Sequence, residues 1–147
     1  MKGKVVSGMI MTLIFIGLAL NVRPTEASYS RSFTIIRLID AFVDIDPNTL
    51  NLKSRGHWVK TYIELPEGYD VSDIDISTVR LNDEISAELH PTEIGDYDTD
   101  GIPDLMVKLN RQDLIAILSA GEATLTITGR VRGTLFKGRD TIRVINE

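Results

Sequence analysis

The sequence predicts an all-β sandwich, and three observations carry that expectation. Short runs rich in Val, Ile, Thr, Tyr and Leu recur from Phe33 to the C-terminus. Gly, Pro, Asn and Asp punctuate them at close intervals. One run, "HWVKTYIEL" (57–65), alternates throughout: Val59, Thr61, Ile63 and Leu65 share one side, with Trp58, Lys60, Tyr62 and Glu64 on the other. Period-two alternation marks a strand with one buried face, and about seven or eight short strands at such spacing make two packed sheets.

Taken in order, "FTIIRLIDAFVDID" (33–46) opens with β-branched residues and stops at Pro47. The 57–65 strand ends at Pro66-Glu67-Gly68. "TVRLN" (78–82), "SAELH" (86–90) and "DLMVKL" (104–109) read as three further strands. "EATLTITGRV" (122–131) and "TLFKGRDTIRVI" (134–145) read as a closing hairpin turned at Arg132-Gly133. "NRQDLIAILSAG" (110–121) departs from this texture, with Leu114, Ile115 and Leu118 on one helical face, Asn110 as N-cap and Gly121 as stop. The expected whole is an Ig-like or cohesin-like sandwich with one short helix crossing between its sheets.

Residues 1–27 are expected to be a signal peptide. Lys2 and Lys4 precede an uncharged run from Val5 to Val22, and the small residues Thr25 and Ala27 stand before Ser28. The alternative is an uncleaved anchor, since the run approaches the length that spans a bilayer. The domain is then 28–147, secreted or held at the cell surface. It keeps 13 basic and 20 acidic residues, a formal −7. Such a charge excludes a nucleic-acid partner, because nothing would neutralise phosphates; it attracts cations instead. With no cysteine there is no disulfide framework, so an exported domain of this kind relies on its core, on a metal, or on both.

The metal expectation rests on "GDYDTDGIPDLMVKL" (95–109). Asp96, Asp98, Asp100 and Asp104 fall at positions 1, 3, 5 and 9 of a loop with Gly101 at position 6. Carboxylates converging without a counter-ion repel one another, whereas a divalent cation makes the same crowding favourable. Calcium suits an oxygen-only set: side chains at 1, 3, 5 and 9, and the backbone carbonyl of Ile102 at position 7. Magnesium and a merely solvated acidic turn are the alternatives. Position 12 is Val107 where an EF-hand has a bidentate glutamate, and a strand follows where a helix would. Thr99 stands at position 4, where glycine is frequent. Loops of this form resemble those of dockerins, thrombospondin type 3 repeats and integrin-type propeller blades.

"DIDPNTLNL" (44–52) and "DIDISTVRL" (73–81) echo one another. The reading preferred for both is Asp and Thr oxygens bonding the backbone at a turn before a strand. A second metal site from Asp44, Asp46, Asp73 and Asp75 is the sharper alternative.

The strings "LNLKSRG" (50–56), "YIELPEGYDVSDID" (62–75), "STVRLN" (77–82), the aspartate loop, "LTITGRV" (125–131) and "DTIRVI" (140–145) together resemble a β-sandwich module recurring in exported archaeal and bacterial proteins. The resemblance implies a surface or secreted module with a calcium loop and no catalytic residues to carry over.

No catalytic constellation is assembled in the sequence. His57 and His90 lack metal-ligand spacing, no serine sits in a nucleophile elbow, and there is no glycine-rich phosphate loop. Trp58 and Tyr62 share a strand face and could stack on a sugar, giving an accessory glycan-binding reading. The preferred alternative makes Trp58 the large core anchor of the sandwich. The expected function is therefore a non-catalytic module, stabilised by calcium and binding a protein or glycan, with a purely structural role as its rival. An exposed Trp58 would favour binding.

Overall fold

The computed structural model describes residues 32–147; the expected signal peptide lies outside them. Alternating sequence becomes ten strands among the described residues: β1 (Leu38–Asp40), β2 (Phe42–Asp46), β3 (Thr49–Asn51), β4 (Trp58–Glu64), β5 (Ile74–Leu81), β6 (Ile85–Ser86), β7 (Glu93–Gly95), β8 (Asp104–Asn110), β9 (Gly121–Val131) and β10 (Thr134–Ile145). They form the two sheets of an all-β sandwich. One runs β1-β10-β9-β5-β6 with β3 also on β10, and the other runs β2-β4-β8-β7.

The hairpin β9–β10 is antiparallel along its length and turns at Arg132 (φ 47°) and Gly133 (φ 78°), the left-handed pair that a tight two-residue hairpin requires. The run 33–46 does not stay in one sheet. Its first part, β1, pairs parallel with β10, and after Ala41 the chain passes to the second sheet as β2, antiparallel to β4. "SAELH" is not a strand: only Ile85 and Ser86 pair, because the turn at Asn82 and Asp83, both left-handed, folds the chain straight back on β5.

The helix, α1 (Arg111–Ile117), connects β8 in one sheet to β9 in the other. Asn110 caps it, its side-chain oxygen accepting from the amides of Gln112 (2.8 Å) and Asp113 (3.1 Å). Leu114 is fully buried, but the helix ends at Ile117 instead of running to Gly121. Leu118 has already turned extended, and Gly121 (φ 129°) opens β9.

The inner faces carry the residues that the alternation assigns to them: Val59, Ile63, Val107, Leu109, Leu125 and Ile127 are at most 1% exposed. The large anchor is Phe136, not Trp58. Phe136 lies opposite Gly129 in the ladder, and a Cβ on Gly129 would sit 2.6 Å from its ring. Trp58 is 40% exposed on the outer face of its sheet. The first position of β4 falls outward, and the glycine-vacated space opposite Phe136 already fills the centre.

Gly138 in β10 allows the crossing of the chain between sheets. A Cβ there would sit 2.6 Å from the Ala41 carbonyl oxygen and would also strike Val43. Gly138→Ala is expected to destabilise the protein by roughly 1–3 kcal/mol, read as a lower urea midpoint with an unchanged slope.

Candidate metal centre

Strands β7 and β8 pair antiparallel with Gly95 opposite Asp104, so the aspartate stretch is the tip of a hairpin. Its carboxylates fold the tip by accepting from backbone amides. Asp96 takes those of Asp100 (3.0 Å) and Gly101 (3.0 Å) on its two oxygens. Asp98 takes Asp100 (3.2 Å), and Asp100 takes Ile102 (2.8 Å). Asp104, only 4% exposed, accepts from Tyr97 across the loop (3.0 Å).

The outcome is convergence. Asp96, Asp98 and Asp104 each bring a carboxylate oxygen within 4.8 Å of the others. Asp100 stands outside this trio, its oxygen turned to the Ile102 amide. The Ile102 side chain is exposed and lines a groove of 560 Å³ with Phe42, Glu64, Leu65, Pro66 and Tyr69. Val107 is fully buried on the inner face of β8 and turned away from the loop.

The loop is held in place by Tyr97. Its ring packs 4.7 Å from that of Tyr62 and lies so close to Gly95 that a Cβ there would be 3.3 Å away; its hydroxyl donates to Glu93 (3.1 Å). Tyr62 is thus a wall of the loop, four residues along β4 from Trp58, whose ring neighbour is His57. Trp58 and Tyr62 share a face as expected, but they do not form one aromatic platform.

A residue that sequence reasoning passed over stands beside the cluster. Glu64 ends β4 directly opposite Asp104, and both fall on the outer face. Its Oε2 is buried without a hydrogen-bond partner. Burial, then the charges of Asp100, Asp104 and Asp98, push its carboxyl above the ordinary range. Burial likewise raises Asp98, reinforced by the Asp100 and Asp104 charges and opposed by the Asp100 amide. Among the described residues the sole ion pair is Arg132 with Asp73 (2.6 Å), so no basic side chain pairs with this cluster.

The alternative site of Asp44, Asp46, Asp73 and Asp75 is not assembled. Asp73 holds Arg132, and Asp75 accepts from the amide (3.1 Å) and hydroxyl (2.6 Å) of Ser77. The second echo is therefore the expected Asp turn before a strand, with the Thr78 hydroxyl bonding the Asp75 carbonyl (2.6 Å). Asp44 and Asp46 instead face the loop, lining a 310 Å³ hollow with Phe42, Tyr62, Tyr97, Asp98 and Asp104. Partial burial, then the Asp140 and Asp46 charges, raise the Asp44 carboxyl.

No family of known proteins, no curated protein and no solved structure matches this chain.

Two outcomes follow from the geometry. Thr99 is left-handed (φ 63°), which costs a non-glycine residue about 1–2 kcal/mol, while glycine costs about 0.5–1 kcal/mol in entropy. Thr99→Gly should raise the melting temperature in chelator, by the equivalent of about 0.5–1 kcal/mol; a fall would assign the greater weight to its 2.6 Å bond with the Asp98 carbonyl. Asp44 has its folded-state carboxyl raised, so its charge opposes folding above that value. Asp44→Asn should melt higher than wild type at neutral pH. The gap should narrow as pH falls through the raised value and close below the ordinary carboxylate range. A gap independent of pH would remove charge repulsion as its cause.

Proposed function

We propose that this chain is a secreted or cell-surface, non-catalytic interaction module whose fold is stabilised by a bound calcium ion. The observation that carries this reading is the approach of the Asp96, Asp98 and Asp104 oxygens to within 4.8 Å of one another, with no basic side chain paired to them. An all-oxygen, carboxylate-rich set fits a hard divalent cation, and the residues for it are present. Asp96, Asp98 and Asp104 would hold the ion, with the Ile102 carbonyl and Asp100 as the further donors that the spacing implies. Bound there, calcium would supply positive charge and a rigid loop, and no chemistry beyond that.

Export follows from the expected signal segment, and the resemblance to modules of exported proteins agrees with it. The exposure of Trp58 (40%) favours a binding role over a passive structural one. The groove beside the loop, where Phe42, Pro66 and Tyr69 meet the acidic Asp40 and Glu67, offers a protein partner both apolar area and charge. A glycan platform from Trp58 and Tyr62 together is less favoured, because Tyr62 is engaged by Tyr97.

The test uses the full chain, stripped with chelator and melted while calcium or magnesium is titrated in. At 10 mM calcium, about 10–100 times the Kd usual for extracellular modules, stabilisation of about 1.4–2.7 kcal/mol is expected. That corresponds to a rise of roughly 5–10 °C. The rise should saturate, be smaller with magnesium, and vanish in Asp96→Asn and Asp104→Asn. A wild-type melting temperature indifferent to calcium would reduce the loop to a solvated turn.

A further inference from the structure

The loop spacing leaves one ligand unaccounted for. Val107, at the position where a calcium loop of this register usually carries a bidentate glutamate, is fully buried in the core and has no oxygen to offer. The opposite strand brings a carboxylate to the same end of the sheet. Glu64 is the cross-strand partner of Asp104, on the same face, and both border the loop. Like charges set directly opposite one another destabilise a sheet. The same strand pair also places Lys60 opposite Lys108, but Lys60 is exposed and solvated. Asp104 and the Glu64 Oε2 are not: one is 4% exposed and the other is buried with no donor.

A buried acceptor without a partner is destabilising, and more so beside three other carboxylates. No basic side chain offsets the arrangement among the described residues. What satisfies an orphaned carboxylate oxygen in acidic surroundings is a cation that binds oxygen. We propose that Glu64 is the carboxylate missing from the loop, supplied by β4 across the sheet, so that the calcium site is discontinuous in sequence. This rests on the calcium reading above and extends it: the ion would tie the hairpin tip to β4 and to the groove that Glu64 and Ile102 both line.

The two roles of Glu64 have opposite signs, and that makes the inference testable. Without metal, its charge opposes folding; with metal, it contributes to binding. Calcium binding to the full chain is measured by titration calorimetry for wild type and Glu64→Gln, and melting is measured in chelator. Glu64→Gln is expected to bind calcium at least about tenfold more weakly, yet to melt in chelator no lower than wild type. If wild type binds calcium and Glu64→Gln binds it equally well, Glu64 is a protonated acid bonded to its neighbours; the inference falls while the calcium reading stands. If Glu64→Gln does not fold, Glu64→Asp takes its place, keeping the charge but withdrawing the carboxylate by a methylene; unchanged affinity there overturns the proposal. A wild type that binds no calcium overturns both.

Discussion

The second edge of β10 is the constraint that the remaining strands answer to. Its first edge is paired with β9 from Thr134 to Val144, and an open strand edge of that length would invite association with another chain. The N-terminal segment covers it in three moves. β1 pairs with Leu135–Lys137, and β3 returns to pair with Arg143–Ile145. Between them the chain leaves for the other sheet, and the middle of β10 is served by a side chain: Asp140 accepts the outward amide of Ile45 in β2 (2.8 Å). Ala41 bonds the Lys137 carbonyl (2.9 Å) as the chain departs, and Asn48 receives the Arg143 amide (2.8 Å) as it returns.

The excursion also builds the acidic end of the second sheet. β2 can pair with β4 only if Gly138 lets Ala41 and Val43 pass close by. Once paired, its alternation sends Val43 and Ile45 inward and Asp44 and Asp46 outward. The same register sets Glu64 against Asp104 on the other side of β4. Carboxylates from β2, β4 and the hairpin tip therefore gather on one surface, although they are scattered along the chain. The small aromatic cluster of Tyr62 and Tyr97 keeps the tip folded down onto that surface.

Such an accumulation stores repulsion, visible in the raised carboxyls of Asp44, Glu64 and Asp98. Repulsion of this kind is relieved by protons, by salt or by a bound cation, and only the last also fixes geometry. Because Glu64 and Ile102 line the apolar groove as well as flanking the loop, an ion there would set the shape of one groove wall. On this reading the metal and the partner surface are neighbours sharing residues, and a partner would meet a wall whose position depends on calcium.

The sequence by itself determined what depends on neighbours along the chain. Alternation in 57–65 assigned the inner and outer faces of β4, Arg132-Gly133 marked its hairpin, and Asn110 marked the start of the helix. The loop spacing identified Asp96, Asp98 and Asp104 as convergent, since a tight turn of few residues fixes which side chains point inward. Tertiary structure decided what depends on strand pairing between distant residues. The division of 33–46 between two sheets, Phe136 over Gly129 in place of Trp58 at the centre, and the placing of Asp44 beside the loop all required the β10 edge and the β4 ladder to exist first. Glu64 is the sharpest instance. Alternation put it on the outer face, but only the register of β4 with β8, set by the burial of their inner faces, brings it opposite Asp104.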